Sequence, residues 1–431
     1  MSVRKNTRKL VALDFASTGL KVVAAEVLDN GLLRILSDEF HKADAIKHGI
    51  IGYPTGTAFN VTTVMKRLMN SAKLSHDPVS RFSIAVGGKS MTIVPANIKK
   101  TFRGKQEITA KLLEELSQEV WSSYNTDGKL VYADIPVSYE VNGRKIEDPE
   151  GMTANDIFIN YHLVVADARI HENFQKCMER ISEYKTKDLF LLPDAIAFAV
   201  SEEEEREEGC AFINMGDTTT TLAIYKGDLI QYLLTIPFGG GNITKDIEEI
   251  GIAYEHAEKL KQRFGVASQA LLDEDIQITV PALDASVDKI PIKRSMLAMI
   301  IEARLDEIFY PIKQALARYT DEIPYGIILS GGAAKMEGMS YYIANYLDME
   351  VRIGEHHDKL SDDTPSKYHD SKFSQLVGIL FMASNREDDE ISQVEEEPQK
   401  PKKPKKSRKS ISNKLTQSFF EFFSDTEDPQ R

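Results

Sequence analysis

Two stretches of the chain, far apart in sequence, follow the same pattern of apolar and polar positions. The first runs from Leu10 to Ala24 and the second from Ala211 to Tyr225. In each, two apolar, β-branched-rich runs flank a short polar turn of hydroxylated residues, which predicts a β-hairpin. The turns at 17–19 and 217–220 offer hydroxyls and approachable backbone N–H groups, which suit a phosphate. The pattern therefore predicts two related half-domains that face a nucleotide held between them.

Three later segments add candidate ligand contacts. Residues 236–244 run from a strand pattern through three glycines into a helix near 245–250, so that backbone N–H groups can approach a phosphate. Residues 255–265 predict a helix that ends on a glycine, with Glu258 and Lys261 on one face. Residues 325–338 predict a buried strand that opens onto a diglycine, the edge where α/β sheets collect ligands. The alternative for the three glycines is a plain turn, and the alternative for Glu258 and Lys261 is an ion pair on the surface.

The end of the chain changes character. Residues 386–410 are acidic and then rich in proline and lysine, which predicts an extended linker without a core. Residues 411–424 predict a short amphipathic helix. Its apolar face consists of Ile411, Leu415, Phe419, Phe422 and Phe423. A phenylalanine-rich helix on a polybasic tether fits an anionic membrane surface. The alternatives are docking into a protein groove or a tail that stays disordered.

Composition narrows the function classes. A length of 431 residues predicts two to four domains. A net charge of −13 argues against a general nucleic-acid surface. The two cysteines, Cys177 and Cys210, are too few for a disulfide framework, so we expect free thiols and a reducing cytoplasm. The basic start lacks the apolar core of a secretory signal, and no apolar run approaches the length of a membrane span.

The order of these segments resembles the actin, Hsp70 and sugar-kinase ATPase superfamily. Within that superfamily the chain closely resembles the FtsA family of bacterial cell-division proteins. Residues 148–165, preceded by 84–88 and 135–136, resemble the extra subdomain 1C of that family. Residues 301–309 resemble the helix of its subdomain 2B, and the tether with its amphipathic helix matches its terminal layout.

The resemblance implies an actin-like α/β fold in which two duplicated α/β domains enclose a nucleotide cleft. The expected subdomains are 1A at 1–81 and 168–200, 1C at 82–167, 2A at 201–242 and 320–385, and 2B at 243–319. The same resemblance implies that ATP and Mg²⁺ are the cofactors. The implied nucleotide-binding residues are Asp14, Ser17, Thr18, Gly19, Lys21, Gly216, Thr218, Thr219, Thr220, Gly239, Gly240, Gly241, Glu258, Lys261, Gly331, Gly332 and Ala333.

Several residues depart from the family pattern. Asp14 would approach the metal through water, but Asn214 stands where the second loop of the family has an aspartate. Asp217 and Ala16 replace glycines, and Leu192 precedes proline where related proteins place the glutamate that orients water. An amide cannot act as a base. These changes predict nucleotide binding with, at most, weak ATPase activity.

The resemblance implies a cytoskeletal adaptor that polymerises and tethers FtsZ filaments to the cytoplasmic side of the bacterial cell membrane at the division site. The C-terminal peptide of FtsZ would bind subdomain 2B, where Lys293 and Arg294 precede a predicted helix at 295–309. Subdomain 1C would contact other division proteins. The alternatives are a sugar or acetate kinase of the same fold and an FtsA-like scaffold that has lost nucleotide hydrolysis.

Overall fold

The computed structural model of the chain describes residues 8–43, 45–74, 81–124, 128–284, 286 and 288–394, with side chains at 357 and 387–394 left out. Both predicted hairpins are confirmed. Asp14 lies opposite Lys21 in the first, and Asn214 lies opposite Thr221 in the second.

The strands of the described residues are numbered in chain order. They are β1 (Lys9–Ala16), β2 (Gly19–Val27), β3 (Leu33–His41), β4 (Ile46–Lys47), β5 (Ile50–Ile51), β6 (Arg81–Val86), β7 (Thr92–Glu107), β8 (Lys129–Val141), β9 (Arg144–Ile146), β10 (Thr153–Asp167), β11 (Lys185–Leu191), β12 (Cys210–Met215), β13 (Thr220–Lys226), β14 (Leu229–Ile236), β15 (Gln277–Pro281), β16 (Lys289–Lys293), β17 (Ile327–Ser330) and β18 (Val351–Ile353).

The α-helices of the described residues are numbered in the same way. They are α1 (Pro54–Ser71), α2 (Ala110–Tyr124), α3 (Ala168–Met178), α4 (Leu192–Val200), α5 (Glu203–Glu208), α6 (Gly240–Glu248), α7 (Tyr254–Phe264), α8 (Arg294–Leu316), α9 (Met339–Leu347) and α10 (Ser374–Val394). None of them is long and apolar enough to cross a membrane.

Two five-stranded sheets form the two halves of the molecule. The first has the order β11-β6-β1-β2-β3, and the second has the order β14-β13-β12-β17-β18. Each sheet combines an antiparallel hairpin with parallel strand pairs. The parallel pairs include β1 with β6 in the first sheet and β12 with β17 in the second. The central strands are buried on both faces and read as nearly continuous apolar runs, which is typical of parallel pairing.

A separate four-stranded sheet, ordered β7-β10-β8-β9, is inserted after β6. Its contact with the second half runs along β14, the edge strand of that sheet. There Thr92 donates a hydrogen bond to the carbonyl of Leu233 at 3.5 Å, and His162 Nδ1 lies 3.2 Å from the carbonyl oxygen of Ile230. The insertion thus bridges the two halves.

The structure differs from the expected subdomain ranges at three places. β6 pairs with β1 in the first sheet, so the inserted sheet begins at Thr92 rather than at 82. Helix α10 packs on β1 and α4, so this helix lies on the first half although 320–385 was expected in the second. It also continues to Val394, into the segment predicted as a linker, because residues 386–394 contain neither glycine nor proline.

The close packing of α10 on α4 depends on one glycine. A Cβ at Gly378 would lie 1.6 Å from the carbonyl oxygen of Ala195, so no larger residue fits at this crossing. Cys177 and Cys210 are buried free thiols, as expected, and burial raises the pKa of each to about 12.

Candidate nucleotide-binding cleft

A cavity of about 770 Å³ lies where the two halves meet. The two hairpin turns line it from opposite sides, through Ser17 and Thr18 from the first half and Asp217 and Thr219 from the second. The two turns also contact each other directly, since the hydroxyl oxygens of Ser17 and Thr218 are 2.5 Å apart. The cavity volume falls within the range of small-molecule and cofactor sites.

The first turn is held by a glycine that does not itself line the cavity. Gly19 has φ +142°, and a Cβ there would lie 2.3 Å from the carbonyl oxygen of His41. A larger residue would push the turn away from β3. The backbone role of Gly19 therefore differs from the direct phosphate contact expected for it.

In the second turn, Gly216 and Thr219 line the cavity, and the Gly216 N–H donates to the Thr219 carbonyl at 2.9 Å. Thr218 instead faces the first half, with its carbonyl oxygen 3.0 Å from His48 Nδ1. Thr220 is fully buried and donates to the carbonyl of Phe238 at 2.9 Å. Thr220 thus fixes the turn and does not reach the cavity.

The triple glycine packs against this second turn. The N–H of Gly240 donates to Gly216, and the N–H of Gly241 donates to Asp217. A Cβ at Gly239 would lie 2.5 Å from the carbonyl oxygen of Gly216, and one at Gly241 would lie 2.7 Å from Asp217 Oδ1. Gly240 lines the cavity, whereas its two neighbours allow close approach of backbone to backbone. The helix accordingly begins at Gly240, earlier than predicted.

Asp14 is a buried carboxylate, 5% exposed, at the end of β1. Gln375 donates to its Oδ1 at 2.8 Å from the start of α10. Burial raises the pKa of Asp14, and the nearby Lys21 and the hydrogen bond from Gln375 oppose that rise. All three residues line the cavity. Gln375 was missed by sequence reasoning because it belongs to no local motif and reaches the site only when α10 crosses to the first half.

Lys261 is 8% exposed and donates to three acceptors, which are the Gly240 carbonyl at 2.8 Å and Thr244 and Glu258 at 2.7 Å each. Burial alone would raise the pKa of Glu258, but hydrogen bonds from Lys261 and Thr244 outweigh it and hold that pKa below its ordinary value. Both predicted residues line the cavity. Their ion pair is therefore part of the cavity wall rather than an exposed surface bridge, and it clamps α7 to the start of α6.

The loop after β17 forms another wall. Gly331 has φ +93°, and a Cβ there would lie 2.4 Å from the carbonyl oxygen of Met215. Gly332 and Ala333 line the cavity as well, and a Cβ added at Gly332 would meet nothing within 4 Å. Asn214 accepts a hydrogen bond from Ser330 at 3.2 Å. A short 3₁₀ turn at Gly332–Lys335 follows the diglycine.

The remaining wall carries apolar and basic groups. Leu192 lines the cavity next to Gly87, where a Cβ would lie 2.6 Å from the leucine side chain. Arg263, Lys335 and Lys372 line it too, and none of them was singled out by sequence reasoning because isolated basic residues carry no local signal. The described residues contain no cluster of three or more histidine, cysteine or acidic side chains that would hold a metal by itself.

The arrangement fits a nucleotide with its magnesium. Ser17, Thr18 and Thr219 bring hydroxyl-bearing side chains to the cavity wall together with Lys21, whose positive charge suits a phosphate chain. Asp14 and Asn214 offer oxygen atoms to the same space, and Mg²⁺ bound to phosphates usually needs only one or two protein oxygens. Asp217 opposes an anion, and burial raises its pKa, with Lys261 lowering it in part.

The two residues expected to bind a partner, Lys293 and Arg294, lie outside this cavity and differ in their exposure and in their partners. Lys293 is well exposed and lies 3.7 Å from Asp275. Arg294 is the first residue of α8, donates to the Phe264 carbonyl at 3.1 Å, and pairs with Glu337 at 2.6 Å. Only Lys293 is readily available to a ligand. The five predicted membrane residues, Ile411, Leu415, Phe419, Phe422 and Phe423, lie outside the described residues.

The sequence is similar to that of known cell-division proteins. The family model described as "Cell division protein FtsA" matches residues 211–378. Among curated relatives, FtsA of Bacillus subtilis is 27% identical over 355 residues, which cover 81% of this chain and 79% of the relative. FtsA of Pseudomonas aeruginosa is 24% identical over 360 residues, which cover 82% of this chain and 84% of the relative.

Solved structures show the fold. A PilM–PilN complex of type IV pilus biogenesis matches with a TM-score of 0.59 at 14% identity, over 87% of this chain and 96% of the matched chain. MreB5 of Spiroplasma citri, in a structure with bound ADP, matches with a TM-score of 0.53 at 12% identity, over 89% of this chain and 98% of the matched one. The fold is that of the actin-like ATPases.

Proposed function

This chain is a homologue of FtsA with the actin-like ATPase fold, and from that premise we propose that it is an ATP-dependent cytoskeletal adaptor. It binds ATP with Mg²⁺ in the cleft, self-associates into filaments, and tethers FtsZ filaments to the cytoplasmic side of the cell membrane at the division site. The single observation that carries the nucleotide part is the meeting of the two hydroxyl-bearing turns, Ser17–Gly19 and Asp217–Thr220, across one cavity.

Lining residues from both halves contact the nucleotide. Ser17, Thr18 and Thr219 hold phosphate oxygens, and Lys21 of the cavity wall supplies positive charge. Asp14 faces the hydrated Mg²⁺, and Glu258 lies beside the ribose. The loop at 331–333 passes alongside the adenosine. The ADP bound in the MreB5 structure, which has the same fold, supports nucleotide binding by this chain.

Binding is supported better than hydrolysis. The amide of Asn214 cannot accept a proton as a general base, and the apolar side chain of Leu192 cannot orient water. We therefore propose slow turnover at most, and a scaffold that binds nucleotide without hydrolysing it is the second candidate function that these same residues favour.

The adaptor role places partners on three other surfaces. The C-terminal peptide of FtsZ binds near Lys293 at the start of α8, because that lysine is exposed and the peptide is acidic. Other division proteins bind the inserted sheet β7–β10. The amphipathic helix at 411–424 attaches the chain to anionic lipid. Nucleotide in the cleft biases the angle between the halves and so the contacts between copies.

Gly332 allows a clean test of nucleotide binding. Because a Cβ there meets nothing within 4 Å and the residue lines the cavity, Gly332→Leu fills ligand space without a clash in the fold. We expect the affinity for ATP to fall by at least about tenfold, or ~1.4 kcal/mol. Isothermal calorimetry with MgATP measures this change.

Gly332→Ala is the matched control, since it adds one methyl group at the same position and should bind ATP nearly as the wild type does. Equal ATP affinity for the wild type and the leucine variant, with an unchanged melting temperature, would contradict adenosine binding at this loop. No detectable ATP binding by the wild-type chain would contradict the nucleotide proposal as a whole.

A further inference from the structure

Asp217 places a carboxylate in the cavity wall, within the turn that carries the hydroxyls of the second hairpin. It lines the cavity together with Gly216 and Thr219. A Cβ at Gly241 would lie 2.7 Å from Asp217 Oδ1, so the missing side chain at Gly241 leaves the room that this carboxylate occupies. The packing of the triple glycine therefore fixes where the negative charge of Asp217 lies.

Asp217 differs from the other acidic residues that line the cavity. Each of the other four binds a basic or amide group of the chain. These pairs are Asp14 with Gln375, Glu258 with Lys261, Glu337 with Arg294, and Asp370 with Lys335. Within the described residues, no hydrogen bond or ion pair holds the carboxylate of Asp217. Its charge therefore acts on whatever enters the cavity.

The start of α6 offers a phosphate little compensation for this charge. Its first three backbone N–H groups, at 240–242, already donate to carbonyl oxygens of the chain at 2.8–3.0 Å. The Lys261 ammonium is also engaged, with three acceptors. Five basic and five acidic side chains are among the described lining residues, so together they carry no net formal charge. A triphosphate that arrives without a cation therefore meets no surplus of positive charge.

We propose that Asp217 makes nucleotide binding in this cleft depend on a divalent cation. The inference rests on the proposed binding of ATP and gives a role to a residue outside the expected nucleotide-binding set. The carboxylate repels the triphosphate alone, because charges in a partly buried site are poorly screened. A divalent cation on the phosphates reverses that interaction, since carboxylate oxygens and water are the ligands that Mg²⁺ prefers. Asp217 thus discriminates metal-bound from metal-free nucleotide.

The charged groups that face Asp217 determine how strong this discrimination is. Lys261, Lys245 and Lys21 attract the carboxylate, whereas Glu258 adds a negative charge beside it. The three lysines reduce the repulsion of a metal-free triphosphate without removing it, because Lys261 is already paired with Glu258. We therefore expect metal-free ATP to bind weakly rather than not at all.

The test measures the affinity of the full chain for a fluorescently labelled ATP by anisotropy, once with Mg²⁺ and once with EDTA. Asp217→Asn keeps the size of the side chain and removes its charge. Asp217→Gly removes the side chain altogether and covers the case in which the amide disturbs the turn. The matched control is Glu249→Gln, which removes one negative charge at the exposed carboxyl end of α6, away from the cavity. Melting temperatures show that each variant is folded.

We expect the ratio of the MgATP affinity to the metal-free ATP affinity to fall at least about tenfold in both Asp217 variants, because metal-free ATP binds them more tightly. The control should keep the ratio of the wild type. An unchanged ratio in the Asp217 variants would overturn the inference, as would a wild type that binds both forms equally. A wild type that binds neither form would contradict the nucleotide proposal itself, and this inference with it.

Discussion

At the scale of single residues, we propose that Asn214 limits ATP hydrolysis in the cleft. Its side-chain oxygen accepts a hydrogen bond from Ser330 and faces the cavity opposite Asp14. A carboxylate at this position would bind a hydrated metal ion more firmly than an amide does, because it carries a full negative charge.

We predict that Asn214→Asp increases Mg²⁺-dependent ATP hydrolysis by about tenfold, the size of a barrier change of ~1.4 kcal/mol. Phosphate release measured with Mg²⁺ and with EDTA separates this effect from background. Asn214→Leu keeps a similar volume without a metal-binding atom and serves as the control. Unchanged turnover in the aspartate variant would shift the cause to Leu192 or Asp217.

The residues of the cleft were predictable to the extent that they belong to local motifs. Ser17, Thr18 and Lys261 line the cavity as their sequence neighbourhoods indicated. Gln375 and Arg263 were not predictable, because nothing within a few residues of either distinguishes it from an ordinary polar side chain. The reason for the glycine at position 265 was also not predictable from its neighbours. This residue follows α7 in an extended conformation, and its glycine is required because a Cβ would lie 2.3 Å from the carbonyl oxygen of Lys261.

At the scale of elements, one hydrogen bond joins α4 of the first half to β13 of the second. The Tyr225 hydroxyl donates to Asp194 Oδ1 at 2.5 Å. Burial raises the pKa of Asp194 to about 6, with the hydrogen bond from Tyr225 lowering it in part. The carboxyl group therefore binds a proton more readily in the folded chain than in the unfolded one.

This shift predicts a pH dependence with a definite sign. Between about pH 4 and pH 6 the folded state binds more protons at Asp194 than the unfolded state, so its contribution to the free energy of unfolding falls as pH rises. Asp194→Asn removes this pH-dependent fall in the free energy of unfolding. We expect the stability of the variant relative to wild type to increase by about 2 kcal/mol from pH 4.5 to pH 7.5.

Urea unfolding at several pH values measures this difference. Asp321→Asn, which changes an exposed carboxylate, is the control and should leave the pH dependence of the wild type unaltered. A constant offset between Asp194→Asn and the wild type across the range would show that Asp194 does not titrate there.

Helix α8 offers the test of the partner surface. We predict that Lys293→Glu weakens binding of the acidic C-terminal peptide of FtsZ by about fivefold, or roughly 1 kcal/mol, because an exposed charge contributes little more than that. Fluorescence anisotropy with a labelled peptide measures the affinity. Lys289→Glu, on the same strand β16, is the control, and an equal effect of both variants would indicate a general charge effect.

The start of α8 also shows how far elements could be predicted. The sequence pattern placed the helix at 295–309, and the structure extends it to Arg294–Leu316 through Pro311. A proline inside a helix removes one backbone hydrogen bond. Buried Ile308, Phe309 and Ile312 around it provide the tertiary packing that a local pattern does not report.

At the scale of the whole molecule, the membrane proposal predicts cooperation between weak anchors. Four or five large apolar side chains at an interface contribute several kcal/mol at most, by an area rule of about 25 cal/mol per Å². One tail therefore holds a single copy reversibly, and a polymer gains by presenting many tails together. We predict that Phe419→Glu with Phe422→Glu lowers liposome binding at least about tenfold, or ~1.4 kcal/mol.

Co-sedimentation with anionic liposomes measures this loss, and an unchanged melting temperature shows that the body is intact. Asn413→Glu with Gln417→Glu adds the same charge on the polar face of the predicted helix and is the matched control. Undiminished liposome binding by a chain ending at Val394 would assign the tail to a protein groove instead.

The architecture of two halves was predictable because duplicated hairpins leave a repeated signal, but the crossing of α10 was not. Amphipathic periodicity shows that this helix has an apolar face without showing which sheet covers it. The decisive contact is Gly378 against Ala195, a steric fit between distant parts of the chain.

The inserted sheet lies against β14, and this position bears on the solubility of the protein. β14 ends the second sheet, and a sheet edge with open backbone groups is a template for strand pairing between molecules. Contacts from Thr92 and His162 to the carbonyls of β14 occupy part of that template. A truncation that removes the insertion would uncover these carbonyls, so we expect it to favour sheet-to-sheet pairing between neighbouring copies.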